Sequence, residues 1–348
     1  MEKFDKFIPQ NVAPDNVQSI KIYNPFNKQV GTISLGKLAQ PNKGQKLYSF
    51  GALSDIHIVY ESGETDLRAA LNYLFKIENI DFICVSGDLG KDGTETELKQ
   101  YQSIINEFSD CKKPIYVAPG NHEYYTARSQ EYLADYVDLP IGVTNALYYS
   151  FEYNNDIFIM LGVCSGDRGN IFTNDEIQWL YETLEKNRNK RVFLFEHIPF
   201  IEGCGDIYKI YPYTKMSIEN TYFKRERAFY NLLSHYTNVL FFHGHTHMQY
   251  ELQSAGKMAN YDNISGGHSI HIPSLAIPRY KDSSGKMATD YMDSEGYVVD
   301  VYENGIVLKG RDFDEKKFLP IATYYLDTTL KDIASGTFVD DSGIIKLK

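Results

Sequence analysis

Ser54-Asp55-Ile56-His57 places a carboxylate and an imidazole two residues apart at the end of an apolar, strand-like run. On an extended backbone residues i and i+2 point to the same side, so an oxygen and a nitrogen donor can reach one metal ion. A second apolar run ends in Ser86-Gly87-Asp88, where glycine permits a sharp turn and leaves projecting a carboxylate whose two oxygens can bridge two cations. A third ends in Pro119-Gly120-Asn121-His122-Glu123, which offers a neutral amide oxygen with an imidazole proton donor beside it. A fourth ends in Phe195-Glu196-His197, with Pro199 stopping it, and a fifth in His243-Gly244-His245-Thr246-His247. His245 and His247 repeat the spacing of Asp55 and His57, though each is able to face a different metal. The chain holds 9 histidines, and core packing does not explain why three of them crowd into that last stretch. His243 lies earlier in the strand and reads as a structural or supporting group rather than a direct ligand.

Taken singly, each signal has a plain alternative. Asp55 and His57 could be a loop aspartate and a surface histidine; Gly87-Asp88 and Pro119-Gly120-Asn121 could be ordinary turns. His197 could be a half-buried imidazole bonded to a carbonyl. The ordered series carries the weight, because ligands of open α/β sheets gather outside the carboxyl ends of the strands, and successive strands deliver metal-capable residues there.

The elements that must position these residues follow a strand–helix rhythm from Leu47 onward. Tyr48–Ser54, Asp81–Ser86, Pro114–Ala118, Tyr148–Tyr153, Ile157–Val163, Arg191–Phe195 and Val239–Phe242 read as strands. Helices are expected at Glu95–Phe108, at Asp175–Lys186 with Thr173 or Asn174 as cap, and at Asn220–His235. Another is capped by Thr65 and carries Leu67, Ala70, Leu71 and Leu74 as one stripe. Beyond His247 the pattern is mostly β: Gln249–Gln253, Ser269–Ile272, Tyr297–Glu303 and Ile306–Asp312, the last two joined by an Asn304-Gly305 turn. Ile321–Asp327 either adds a strand or belongs to a loose tail. Ser19–Tyr23 and Val30–Ser34 flank the turn-rich Asn24-Pro25-Phe26-Asn27, which predicts a hairpin covering an edge of the main sheet. The class is therefore α/β, with layered sheets and helices outside. The expected division is an extension over 1–46, a main domain over 47–315, and a tail over 316–348 able to pack on it.

Composition narrows the partners. A formal net charge of -11 disfavours extended nucleic acid, whereas a small phosphate ester can bind once metal ions reverse the local field. Cys84, Cys111, Cys164 and Cys204 form no paired motif and read as structural thiols. No apolar run approaches the ~20 residues needed to span a bilayer, so no membrane is expected. The N-terminal residues lack the apolar core of a signal peptide, which gives a cytoplasmic expectation. Nothing in the pattern sets an oligomeric state.

The blocks Asp55-Ile56-His57, Gly87-Asp88, Gly120-Asn121-His122-Glu123, His197 and Gly244-His245-Thr246-His247 resemble, in order and over about Ser49 to Tyr250, the calcineurin-like metallophosphoesterase superfamily. The resemblance implies a four-layer α/β/β/α sandwich and a dinuclear metal centre. It assigns Asp55, His57 and His247 to one metal, Asn121, His197 and His245 to the other, and Asp88 to both, with His122 near the leaving group. Such residues permit in-line attack by a bridging hydroxide, with Asp88 and His122 as catalytic groups and His122 as the general acid. The mixed donors suit Mn, Fe or Zn, as divalent or trivalent ions.

Departures narrow the branch. Lys91 and Asp92 stand where protein Ser/Thr phosphatases carry an Asp that orients the catalytic His and an Arg that clamps phosphate. Lys91 also stands where purple acid phosphatases place a metal-binding Tyr. What remains resembles the bacterial and phage-like group linked to phosphodiester or phosphomonoester hydrolysis, including cyclic-nucleotide phosphodiesterases. Substrate contacts are expected from Asn121, His122 and Arg279, although an ordinary salt bridge is an equal reading of Arg279. Gly203–Ser217, with Tyr208, Tyr211 and Tyr213, is either a wall over the metals or a packed surface loop. His268 and His271 lie near the last block, and His235 suits a helix end without a function. The competing readings are a non-catalytic scaffold of the same fold and, against the acidic balance, a nuclease.

Overall fold

A computed structural model describes residues 19–23, 29–34, 43–60, 62–126, 132–162, 172–200, 204–205, 228–250, 261–264, 267–284, 286–289 and 293–328. The hairpin strands β1 (Ser19–Tyr23) and β2 (Gln29–Ser34) pair antiparallel, as their alternation predicts, in a two-stranded sheet of their own, and β12 (Arg279–Lys281) and β13 (Met287–Thr289) form another. One six-stranded sheet runs in the order β16 (Lys317–Asp327), β15 (Gly305–Asp312), β14 (Glu295–Tyr302), β3 (Lys46–Leu53), β4 (Phe82–Ser86), β5 (Ile115–Ala118). The other six-stranded sheet runs β10 (Tyr261–Ile264), β11 (Gly267–His271), β9 (Val239–His243), β8 (Val192–Phe195), β7 (Asp156–Leu161), β6 (Tyr148–Tyr153). The strands that carry the chemistry-bearing blocks, β3, β4 and β5 in one sheet and β8 and β9 in the other, are parallel to their neighbours within that set.

Continuous apolar runs form these strands because both of their faces are covered. In β4, Phe82 and Cys84 enter the core between the sheets, while Ile83 and Val85 face the helices outside. In β8, Phe193 and Phe195 point inward and Val192 and Leu194 outward. Aromatic rings knit the two sheets: Phe50 of β3 stacks on Phe82 at 5.5 Å and meets Phe193 edge-on at 5.2 Å. Helices α1 (Gly63–Asn72) and α2 (Glu95–Asn106) cover one outer face. Helix α3 (Asn174–Lys186) and the helical residues 228–233 cover the other. The arrangement is the expected α/β/β/α sandwich. Among the described residues no helix is long and apolar enough to cross a membrane.

Helix starts follow local chemistry. Thr94 with Glu97, and Thr173 with Glu176, close reciprocal capping boxes on α2 and α3. Thr65 does not cap α1: the helix begins at Gly63 after Ser62, so Thr65 lies in its first turn. The stripe of Leu67, Ala70, Leu71 and Leu74 is buried as expected. Other expectations shift. The turn between β14 and β15 falls on Glu303 and Asn304, with Gly305 already in the strand and paired with Asp327 of β16. There a side chain at Gly305 would collide with the Tyr325 hydroxyl and the Leu326 carbonyl, so the glycine serves close approach rather than the turn. No strand forms at Gln249 or Tyr250, because Met248 and Gln249 are engaged by Arg279 instead; residues 251–253 lie outside the described set. Of the helix expected at Asn220–His235, residues 220–227 also lie outside it. The strand expected at Ile321–Asp327 begins earlier, at Lys317, and pairs with β15.

At the end of the sheets where β3, β7 and β8 begin, a buried ion pair fastens one sheet to the other. Arg191 donates to Asp156 from Nε (3.1 Å) and Nη2 (2.6 Å), and Asp156 also accepts the Tyr48 hydroxyl at 2.6 Å. From Nη1, Arg191 reaches the Tyr302 carbonyl and the Thr328 hydroxyl, both at 2.9 Å.

Candidate metal centre

At the opposite, carboxyl ends of the strands the candidate ligands leave regular structure. Asp55 and His57 do not continue β3 as an extended strand: their φ angles are 52° and 44°. The strand stops at Leu53 because the following amides turn to the neighbouring loop, Asp55 N–H donating to Gly87 O (3.1 Å) and His57 N–H to Asp88 O (3.0 Å). Asp88, His245 and His247 share the left-handed backbone, at φ 57°, 72° and 60°. The i, i+2 pairs therefore converge through tight turns rather than through the pleat. Gly244 is required by close approach, since a Cβ there would overlap the Ser54 hydroxyl and the Asp55 carboxylate.

Two donor groups result, and they share one carboxylate. Asp55, His57, Asp88 and His247 bring ligand atoms within 4.8 Å of one another, as do Asp88, His197 and His245. Within the first group, His247 Nε2 lies 2.9 Å from Asp55 Oδ1 and 3.2 Å from His57 Nε2. Within the second, His197 Nε2 lies 3.0 Å from Asp88 Oδ2 and 3.3 Å from His245 Nδ1. Asn121 Oδ1 is buried without a hydrogen-bond partner, while Asp55 Oδ1 and Asp88 Oδ2 are buried against imidazole nitrogens. Proteins rarely bury carboxylates whose charge is not compensated, and a cation among converging oxygens and imidazole nitrogens satisfies them, so this donor set fits bound metal ions.

Charge and burial prepare the donors. Burial alone would raise the Asp55 carboxyl, but His247 and His197 hold it well below the usual carboxylate range. Burial likewise opposes ionisation of Asp88, and His197, His122 and His57 outweigh it. Burial pushes His245 down to about 3 and His247 down to about 4, which keeps both imidazoles neutral with a lone pair to offer at neutral pH. At His197 burial is outweighed by Asp88 and Asp55, which raise it to about 10; there a proton stands in for positive charge that a metal would supply.

A surrounding layer fixes the candidate ligands. The Gly90 carbonyl accepts from His57 Nδ1 (3.1 Å) and the Ser86 carbonyl from His197 Nδ1 (2.6 Å), so each ring turns Nε2 inward. Ser54 Oγ donates to Asp55 Oδ2 at 2.6 Å, and the His245 N–H reaches the same oxygen at 2.9 Å. Glu123 accepts three main-chain N–H groups, from Asp88 (2.9 Å), Leu89 (2.7 Å) and Gly120 (2.7 Å). Spacing alone does not single out Ser54 and Glu123 as supports, although a charged residue directly after His122 is a readable signal.

The remaining expected residues fall at graded distances. His122 Nε2 is 3.7 Å from Asp88 Oδ2, and its Nδ1 faces the Lys91 main-chain oxygen. The position at which related phosphatases carry an orienting Asp thus supplies a carbonyl instead. Arg279 is half-buried and donates its main-chain N–H to His247 O at 2.5 Å, and its charge depresses His247. His243 is buried away from the donor groups, 3.0 Å from Ser269 Oγ and 3.4 Å from Cys204 Sγ. His271 is its register partner on β11, and its ring centroid lies 5.5 Å from that of His243. His235 Nδ1 meets the Asn231 carbonyl at 2.6 Å. Tyr208, Tyr211 and Tyr213 lie outside the described residues.

Comparison with known proteins adds lineage to this geometry. A family model described as calcineurin-like phosphoesterase matches residues 48–249. A probable cyclic nucleotide phosphodiesterase of Coxiella burnetii is 24% identical over 210 residues, covering 58% of this chain and 76% of the relative. A probable glycerophosphodiester phosphodiesterase of Arcobacter nitrofigilis is 26% identical over 216 residues, covering 56% of this chain and 70% of the relative. Among solved structures, a purple acid phosphatase from yellow lupin seeds superposes with a TM-score of 0.52 at 13% identity, which bears on the fold alone. That alignment covers 85% of this chain and 57% of the lupin chain.

Proposed function

Since the chain belongs to the calcineurin-like phosphoesterase family, and is accordingly a phosphoester hydrolase, we propose that it cleaves small phosphate esters at a dinuclear metal centre. The observation that carries this reading is the sharing of Asp88 by two donor groups. In it, Asp55, His57 and His247 hold one cation, Asn121, His197 and His245 hold the second, and Asp88 holds both. Mn, Fe or Zn suits this mixture of oxygen and nitrogen donors. Held by these residues, the cations would supply Lewis-acid charge for the phosphoryl oxygens and would lower the pKa of water enough for it to act as a nucleophile near neutral pH.

The chain's own residues do the rest. His122, oriented through Nδ1 by the Lys91 carbonyl, delivers a proton from Nε2 to the departing alkoxide. Asn121 and His122 face the ester, and Arg279, next to His247, attracts its negative charge. The names of the two curated relatives support a diester substrate over a monoester.

The test combines metal analysis with turnover of a bis-aryl phosphate, an aryl phosphate and cyclic nucleotides, for the wild type and Asp88→Asn. Two metal equivalents and hydrolysis are expected from the wild type, and loss of both from the variant. Full activity and normal metal content in Asp88→Asn would defeat the assignment, and steeply salt-dependent DNA cleavage would replace it with a nuclease.

A further inference from the structure

We propose that Tyr125 is a positioning residue that decides which end of the Asn121 side chain faces the metal centre; the proposal rests on the two-metal reading above. The two ends of an amide are nearly equal in shape but opposite in chemistry, since the oxygen can ligate a cation and the NH2 group cannot. Only hydrogen bonding settles which end points where. Here Asn121 Nδ2 donates to the Tyr125 hydroxyl at 2.9 Å, which occupies the NH2 end. Oδ1 is turned the other way, buried and without a hydrogen-bond partner. Asn121 itself is 1% exposed, so its amide is shielded from bulk water while the phenol is in place.

Tyr125 is held for this task by its own surroundings. Its main-chain N–H donates to the His122 carbonyl at 3.2 Å, closing the short helical turn His122–Tyr124 that Asn121 begins. Its ring packs on His122 with centroids 4.4 Å apart. Although 47% of the residue is exposed, the hydroxyl folds back to Asn121. Rotating the Asn121 amide would break this bond and set N–H groups toward a cation, so the phenol disfavours the unproductive rotamer.

The experiment is calorimetric titration of metal-free protein with Mn(II), for the wild type, Tyr125→Phe, Asn121→Asp and the double variant. Phenylalanine keeps the ring against His122 and removes the hydroxyl that accepts from Asn121. Tyr125→Phe is expected to weaken one of two binding steps by about 10–100-fold, the range for loss of a group that orients a ligand, and to leave the other unchanged. Aspartate presents oxygen at either end, so the same Tyr125→Phe change should have no effect in the Asn121→Asp background. Two unchanged steps in Tyr125→Phe overturn the proposal, as does an equal weakening in the Asn121→Asp background, which would mark a merely structural role. A wild type that takes up fewer than two equivalents overturns the two-metal reading and this proposal together, which separates the two failures.

Discussion

The Glu123 carboxylate accepts the main-chain N–H of Asp88 at 2.9 Å, so one buried acid fixes the backbone of another. Glu123 also accepts from Leu89 and Gly120, and thereby joins the loops after β4 and β5. Glu123→Gln keeps the shape but turns an NH2 group toward donors. We expect it to lower unfolding free energy by about 1.5–3 kcal/mol, the range for hydrogen bonds to a charged group. Urea unfolding of the metal-free variant checks this, and a midpoint equal to the wild type would contradict it.

Removal of His122 should separate metal binding from rate. His122→Ala is expected to keep its metal content and lose about 10²–10⁴-fold in turnover, as for a missing general acid. The loss should grow as the leaving group becomes poorer. Kinetics on a series of aryl phosphodiesters of graded leaving-group pKa would show it, and a uniform loss across the series would argue against proton donation.

Asp66, in the first turn of α1, is pushed up to about 7 by burial, which outweighs the opposing Ser62 hydrogen bond, with a smaller push from Asp314. An unfolded aspartate titrates near ~3.9. Between those values the native chain holds a proton that the unfolded chain has lost, so this group makes stability fall as pH rises and level off above about 7. Asp66→Asn removes the dependence. It should unfold at higher urea than the wild type at pH 8 and lose that advantage at pH 4, with a difference on the order of 2–4 kcal/mol.

Arg191 should matter for stability and not for metal uptake. Arg191→Ala strands a buried Asp156 beside Tyr48 and removes the bond to the Tyr302 carbonyl. A loss of about 3–5 kcal/mol is expected, as for breaking a buried ion pair from one side. Replacing both partners with apolar residues should recover much of it, and differential scanning calorimetry of the single and double variants measures both.

The sequence blocks were legible because each couples an apolar run, whose residues are buried on both faces, to a polar terminus that has nowhere else to project. The run Phe82–Ser86 announces a strand from composition alone, and helix α3 announces its start through Thr173, whereas the Thr94 cap of α2 shows only in the structure. What spacing could not show was conformation after the strand ends. Asp55 and His57 were placed on an extended backbone, yet they turn because their amides bond across to Gly87 and Asp88, a contact that only the folded neighbour provides. The same limit hid Tyr125, whose role depends on a hydroxyl folding back onto Asn121. It also misplaced a strand at Gln249, where Arg279 competes for the backbone. The turn at Glu303 and Asn304 was missed by one position because Gly305 is required for closeness to β16, a neighbour distant in sequence.

Left-handed backbone at Asp55, His57, Asp88, His245 and His247 has an evolutionary consequence. Side chains with a Cβ are disfavoured there by roughly 1–2 kcal/mol per residue, less for aspartate, so folding alone would not choose these residues. The positions that bring the donors together are thus among those where the chain is least at ease. A copy released from selection on catalysis should drift there first, towards glycine and asparagine, and become harder to unfold as it loses its chemistry.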